Sequence, residues 1–400
     1  RALPSNSYQL LKKLDKTLKE NFVFLVVNSI ISQFFHSATY VVEYFNVMRC
    51  DMENLYNIAK DLITWYQKNA RVLPWRENIS PYGVWISEIM LQQTRVEAVK
   101  KYYIRFMEEL PTIKELSEVS DEKLLKLWQG LGYYNRAKNL KKTAIEVMEQ
   151  YHGVIPNSYE KLLQLKGIGE YTAGAICSIA FGLPESAVDG NVLRVMTRLY
   201  AYEKDIMDKQ VKKEFSVAIK EVLKHTNPSL FNQSIMELGA MVCLPNGTPK
   251  CNECPLQKYC KAYHQNRVME FPHKSPKKQR RIEYRTMFFI MCQNKLALHK
   301  RPETGLLSNL WELPNGLKEV SPFEQLLQWG VRYATIDEMG KTKHIFTHIQ
   351  WNMEGYYIQT DSFENCADFV WVTQCELQQK YALPSAFSVY VKKGFEMFNK

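Results

Sequence analysis

Apolar residues recur at three- and four-residue spacing from Met52 to about residue 265, the period of helices that bury one face. Breaks fall near 78–81, 110–111, 153–156, 182–184 and 246–249, each marked by Gly or Pro. Ser80-Pro81 reads as an N-cap followed by a proline in the first turn, where a missing N–H costs nothing. Over 266–285 the period is lost, and Arg267, Lys274, Lys277, Lys278, Arg280, Arg281 and Arg285 make a basic linker with two prolines. Beyond it the period shortens. Residues 286–291 and 296–299 predict strands around a Gln293-Asn294 turn, 344–360 predicts further strands, and 368–372 another before closing helices. The pattern therefore predicts a mainly α protein. An all-helical body spans 52–265, and a linker over 266–285 joins it to a smaller α/β domain over 286–400.

A chain of 400 residues with 46% hydrophobic and 24% charged positions is long and apolar enough for two cores, which excludes a disordered or fibrous class. The net charge of +10 suits an anionic partner, nucleic acid first, though charge alone also serves solubility. Residues 22–42 are uncharged and rich in Phe, Val and Ile, long enough to cross a bilayer, but interrupted by Asn28, Gln33 and His36. Because enzyme-like sequence begins near Met52, residues 1–51 are read as an accessory or spurious extension, and no membrane partner is expected. Membrane partition of the full chain, but not of one starting at Met52, would reverse that reading.

Nine cysteines, four of them between 243 and 260, point to a reducing cytoplasm and a bound metal rather than to a secreted disulfide framework. Cys243, Cys251, Cys254 and Cys260 are spaced C-x7-C-x2-C-x5-C, which serves either a tetrahedral zinc or one [4Fe–4S] cluster. Either makes the loop structural, with Lys250, Lys258 and Lys261 available to phosphate. The other five cysteines (Cys50, Cys177, Cys292, Cys366, Cys375) read as small core or surface residues.

Gly167-Ile168-Gly169 separates two apolar segments. Glycines there permit a tight turn and bring backbone N–H groups to a phosphate at the next helix start, or they serve a plain interhelical turn. Two carboxylates have contrasting surroundings. Glu88 lies among Trp85, Ile89 and Leu91, where loss of water raises its pKa and keeps a proton available. Asp189 precedes the amphipathic run 192–200, where helix-terminal N–H groups favour its anion. One protonated and one ionised carboxyl group is an arrangement that cleaves glycosidic bonds, and each residue also has an ordinary structural reading.

Taken in order, these segments resemble one family, the MutY-type adenine DNA glycosylases of the helix-hairpin-helix superfamily. The resemblance runs from about Met52 to the C-terminus. It rests on LPWR at 73–76, SPYGVWISEIMLQQTRV at 80–96, WQGLGYYNRAKNL at 128–140, LKGIGEYTAGAI at 165–176, VDGNVLRV at 188–195, the cysteine loop and GLLSNLWELP at 305–314. It implies a [4Fe–4S] cluster on Cys243, Cys251, Cys254 and Cys260. It also implies a Nudix-like second domain and a monomer that acts on double-stranded DNA carrying adenine opposite 8-oxoguanine or guanine. The expected compartment is the cytoplasm, at the bacterial nucleoid. By position, Glu88 would protonate adenine at N7 and Asp189 would stabilise or trap the sugar cation, with Tyr171 and Asn191 supporting them. Arg71, Trp75, Arg76 and Gln233 match positions lining the base pocket. Leu91, Gln93, Thr94, Leu131 and Tyr133 match the wedge and the contacts around the opposite base, while Gly167 and Gly169 anchor the backbone.

Four further features of the chain bear on these expectations. Endonuclease III-like relatives carry a lysine where Tyr171 stands; a phenol forms no imine with the sugar, so little strand cleavage is expected. The family's Phe-Ser-His loop is here Phe346-Thr347-His348, which keeps the hydroxyl but adds a methyl. The first cysteine gap is seven residues rather than six, with Pro245-Asn246-Gly247 able to absorb the extra one as a wider turn. The acidic R-E-x-x-E-E box of magnesium-dependent Nudix hydrolases is missing, so no pyrophosphatase activity is expected.

Overall fold

A computed structural model describes residues 52–276, 279–363 and 368–399. The N-terminal extension, Cys50, Cys366, Lys277 and Lys278 lie outside the described residues. Among the described residues no helix is long and apolar enough to cross a membrane.

The helical period expected from Met52 onward is realised as thirteen α-helices before the linker, packed in two halves that meet around a cleft. In one half lie α2 (Pro74–Glu77), α3 (Pro81–Leu91), α4 (Val96–Glu109), α5 (Ile113–Glu118), α6 (Asp121–Trp128), α7 (Asn135–Tyr151), α8 (Tyr159–Gln164) and α9 (Glu170–Ala175). In the other lie α1 (Met52–Asn69), α10 (Gly190–Tyr200), α11 (Lys209–Leu223), α12 (Pro228–Met241) and the short α13 (Lys261–His264) after the cysteine loop. Ser80 caps α3 by accepting from the Gly83 N–H at 3.0 Å, with Pro81 in the first turn as expected. Positions 82–90 of α3 are all buried, so this helix runs through the core instead of lying on it. Trp85 and Trp128 are buried in that half, and replacing either with alanine costs about 3–5 kcal/mol.

Among the described residues the second domain has a seven-stranded mixed sheet, ordered β3-β2-β1-β6-β5, with β4 on β1 and β7 on β2. Its strands are β1 (Arg281–Cys292), β2 (Lys295–Lys300), β3 (Trp311–Glu312), β4 (Asn315–Leu317), β5 (Thr335–Ile345), β6 (Ile349–Gln359) and β7 (Val370–Val372). β1 and β6 run parallel in the centre and the remaining pairings are antiparallel. Met287, Phe289 and Met291 of β1 face one core, beneath α15 (Gln374–Gln379) and α16 (Ser388–Phe398). Phe288 and Ile290 face a smaller core beside α14 (Pro322–Gln328). A strand covered on both faces reads as an unbroken apolar run, which is why 286–291 was legible.

Two expectations need correction. The linker does not reach residue 285, because β1 begins at Arg281; its first residues are half-exposed and alternate with charge, so they lack an apolar run. The strand before the Phe346 loop begins at Thr335, not near His344. β5 is an edge strand on which Met339 alone is buried, and its Asp337, Glu338, Lys341 and Lys343 are what an exposed edge carries. The Gln293-Asn294 turn forms as expected, both residues taking positive φ (45° and 64°), with Cys292 opposite Lys295.

The domains are fastened by side chains of the helical body donating to carbonyls of the other. Lys126 Nζ lies 3.0 Å from the Leu377 and Tyr381 carbonyls at the end of α15, where a cation opposes the helix dipole. Gln129 Nε2 donates to the Leu383 carbonyl (3.1 Å), and Lys138 Nζ to that of Ser308 (2.6 Å).

Candidate active site

The cleft between the helical halves is a cavity of about 470 Å³ whose lining includes Arg71, Trp75, Arg76, Glu88, Leu91, Gln93, Thr94, Tyr171, Asp189, Asn191 and Gln233. Eleven residues singled out from the sequence thus meet in one place. Glu88 is supplied by α3, in the middle of its buried run. The turn at 165–169 between α8 and α9 requires Gly167, which takes φ +80° against the Asn139 side chain. Gly169 is the N-cap of α9, and Tyr171 follows it into the cavity. Asp189 stands at the opposite wall as the N-cap of α10.

Glu88 is buried, and its carboxyl is pushed up to about 7. Burial is the main cause and the nearby Asp189 charge adds to it, while the hydrogen bond donated by the Tyr171 hydroxyl and the charge of Arg76 pull the other way. Such a group still carries a proton at neutral pH and can give it to a bound base.

Asp189 accepts from the Asn191 and Val192 N–H groups (2.9 and 2.8 Å) and from Asn191 Nδ2 (2.6 Å). These donors favour the anion, as expected of a helix start. Burial nonetheless lifts the Asp189 carboxyl above its ordinary value against their pull. Desolvation of the pocket therefore acts on both carboxyl groups, and what separates them is the donor set. Asp189 meets three N–H groups and Glu88 a single hydroxyl.

Several residues that build the site were not legible. Glu237, on α12, is almost wholly buried and pairs with Arg71 through both carboxylate oxygens (2.8 Å each) and with Arg76 (2.9 Å). Burial alone would raise it, but the two guanidinium groups hold it down to about 2. The available signal was its place one turn beyond Gln233, on the same helix face. Gln233 itself accepts from the Tyr66 hydroxyl (3.1 Å) and donates to Ser229, so it is held rather than free. Gly239 lets α12 approach α10, since a Cβ there would meet Asn191 Cβ at 2.6 Å. Arg194 donates to Asn191 Oδ1 (2.9 Å), to the Gly239 carbonyl (2.7 Å) and to the Cys243 carbonyl (2.7 Å), which ties the cysteine loop to the Asp189 wall.

Outside the cavity the picture is mixed. Leu131 is buried in the helical core. Tyr133 is exposed, and its hydroxyl lies 3.2 Å from Thr347 Oγ1 across the domain boundary. Phe346, Thr347 and His348 form the loop between β5 and β6, with the Phe346 ring against Trp351. The two domains therefore meet beside the cavity rim.

Among the described residues no group of three or more His, Cys, Asp or Glu side chains is arranged to hold one metal ion. The four thiols of the loop are nonetheless neighbours. Burial raises Cys251, Cys254 and Cys260, and each is raised further by the charge of Cys243. Cys243 Sγ accepts from Arg198 Nη1 at 3.3 Å, and Cys243, Cys254 and Cys260 pack on the second helical core. Four partly buried thiols in one loop fit a [4Fe–4S] group, which takes one sulfur at each of four irons.

Residues 86–221 match the HhH-GPD superfamily of base excision DNA repair proteins, and residues 286–393 match the NUDIX domain. The adenine DNA glycosylase of Rattus norvegicus is 32% identical over 88% of this chain and 79% of its own length. This chain belongs to the adenine DNA glycosylase family. The member from Buchnera aphidicola (subsp. Baizongia pistaciae) is 36% identical over 72% of this chain and 82% of its own. A solved thermostable thymine-DNA glycosylase superposes with a TM-score of 0.49 at 26% identity, over 54% of this chain and 99% of that one. As an adenine DNA glycosylase family member the chain is a DNA glycosylase, and its two domains are the helix-hairpin-helix body and the Nudix-like sheet.

Proposed function

We propose that this protein removes adenine from double-stranded DNA where it is mispaired with 8-oxoguanine or guanine, cutting the base from its sugar without cutting the strand. The observation that carries the reading is the shared cavity, in which a proton-bearing Glu88 and an N-capped Asp189 line opposite walls. The named relatives supply the base. The extruded adenine enters between Arg71, Trp75, Arg76 and Gln233, with Glu237 fixing both arginines. Glu88 gives its proton to N7, the C1′–N9 bond breaks, and the electron pair leaves with the base. The sugar cation faces Asp189, held by Asn191. Water then adds at C1′, and the proton it releases restores Glu88. Tyr171 orients Glu88 and is no amine, and among the described residues no lysine lines the cavity, so no Schiff base with the sugar forms.

Gln93, with Leu91 and Thr94 on the cavity rim, and Tyr133 outside it fill the vacated stack. Phe346, Thr347 and His348 read the opposite base, and the Gly167–Gly169 turn holds a phosphate. Cys243, Cys251, Cys254 and Cys260 would hold the [4Fe–4S] cluster, which supplies a structural cross-link for its loop.

One duplex tests this. With adenine opposite 8-oxoguanine, the expected product is an abasic strand that breaks only in alkali and is not formed by Glu88→Gln. Breakage without alkali would indicate a lyase, and absence of product from both proteins would indicate a binding scaffold.

A further inference from the structure

Gln93 and Tyr133, which the proposed reading inserts into the helix, both sit at left-handed backbone positions (φ 57° and 48°). Side chains disfavour that region, so something must hold each turn there. Each turn is flanked by groups that face one guanidinium. Arg136 Nη1 lies 2.7 Å from the Gln92 carbonyl and Nη2 3.2 Å from Thr94 Oγ1, the residues on either side of Gln93. Nη2 also donates to the carbonyls of Leu131 and Gly132 (both 3.1 Å), just before Tyr133. Its own backbone N–H donates to the Tyr133 carbonyl (2.9 Å), and its guanidinium lies 5.5 Å from the centre of the Tyr133 ring. Nη1 further serves the Ile89 and Met90 carbonyls, at the end of the helix that carries Glu88. Burial lowers this guanidinium to about 10, and among the described residues no carboxylate is paired with it. A charge spent on backbone carbonyls, one hydroxyl and ring faces binds loops, not a counter-ion.

We propose that Arg136 is the positioning residue of base extrusion: one guanidinium locks the Gln93 turn, the Tyr133 turn and the end of the Glu88 helix at fixed spacing. Both inserting side chains then enter the duplex together. The inference rests on the proposed reading of Gln93 and Tyr133 as wedge residues. A lysine at 136 keeps the charge but reaches from one nitrogen, so it cannot span both turns.

The test uses the full chain and two duplexes with 8-oxoguanine opposite the target, one carrying 2-aminopurine there, which brightens on unstacking, and one carrying adenine, from which release is timed. Arg136→Lys is expected to lower the fluorescence gain and the single-turnover rate of adenine release by about tenfold or more. Affinity for undamaged duplex and the pH of half-maximal rate stay at wild-type values. In a Gln93→Ala/Tyr133→Ala background the same substitution should cost less than about threefold, because neither turn it holds then carries a wedge. A wild-type fluorescence gain in Arg136→Lys would overturn the inference, as would an equal loss in both backgrounds. So would loss of the native circular dichroism spectrum in both Arg136→Lys and Arg136→Gln, since the proposed role is confined to these turns. Wild-type protein that brightens 2-aminopurine yet releases no adenine would instead sink the functional reading and leave this one standing.

Discussion

A carboxyl group at about 7 makes the acid step depend on pH in a definite direction. Above that value Glu88 loses its proton, so single-turnover release of adenine should fall about tenfold per pH unit on the alkaline side. Tyr171 donates to the ionised carboxylate and so holds the value down. In Tyr171→Phe that hold is gone, and the alkaline fall should begin at higher pH; a fall moved to lower pH would contradict the assigned hydrogen bond. Stability follows the same group with a sign that can be worked out. Folded Glu88 binds its proton more tightly than the ordinary 4.5, so its contribution is complete below that pH and is lost as pH rises through 7. The penalty at pH 8 is on the order of 3 kcal/mol. Glu88→Gln should therefore melt higher than wild type at pH 8 and alike near pH 4, by calorimetry at each pH, while losing about 10²–10⁴ in rate.

Along α12 the ion pairs of Glu237 organise the pocket for which the sequence offered Arg71, Trp75, Arg76 and Gln233. With one carboxylate serving two guanidinium groups, its removal leaves buried positive charge without a partner. Glu237→Gln should lower stability by about 3–5 kcal/mol, read by urea unfolding, and should weaken adenine selectivity as Arg71 and Arg76 are released. The cysteine loop is coupled to the same wall through Arg194. Cys251→Ala should abolish the broad visible absorbance of a [4Fe–4S] protein and reduce adenine release together with thermal stability. Purified protein that holds zinc without that absorbance would end the cluster assignment.

Between the domains, Tyr133 and Thr347 join a helical-body turn to a sheet-domain loop by a single hydroxyl pair. Thr347→Val removes the hydroxyl and keeps the shape. Adenine release opposite 8-oxoguanine should slow by about fivefold to tenfold, the scale of one lost hydrogen bond, with release opposite guanine little changed. Equal slowing on both duplexes would mean that the loop supports the fold and does not read the lesion. Lys126 and Lys138 hold the two domains together through carbonyls, which water would otherwise solvate. Their replacement by alanine should lower the unfolding cooperativity that a joined body shows.

The helical body, its cap at Ser80, the buried run around Glu88, the Gly167 turn and the hairpin at Gln293-Asn294 were all legible in the chain, because each depends on neighbours within a few residues. The same holds for β1 where it is covered on both faces. Edge strand β5 escaped, since an exposed edge has no apolar period to display. A wedge and a core residue have one composition, so the burial of Leu131 had no local signal. The carboxylate-to-arginine clamp at Glu237, the Arg194 tie and the Arg136 lock join positions far apart in sequence or inside irregular turns. Local sequence chose the chemical groups. Only tertiary packing decided which of them lose water together, and that loss of water sets both proton affinity and partner.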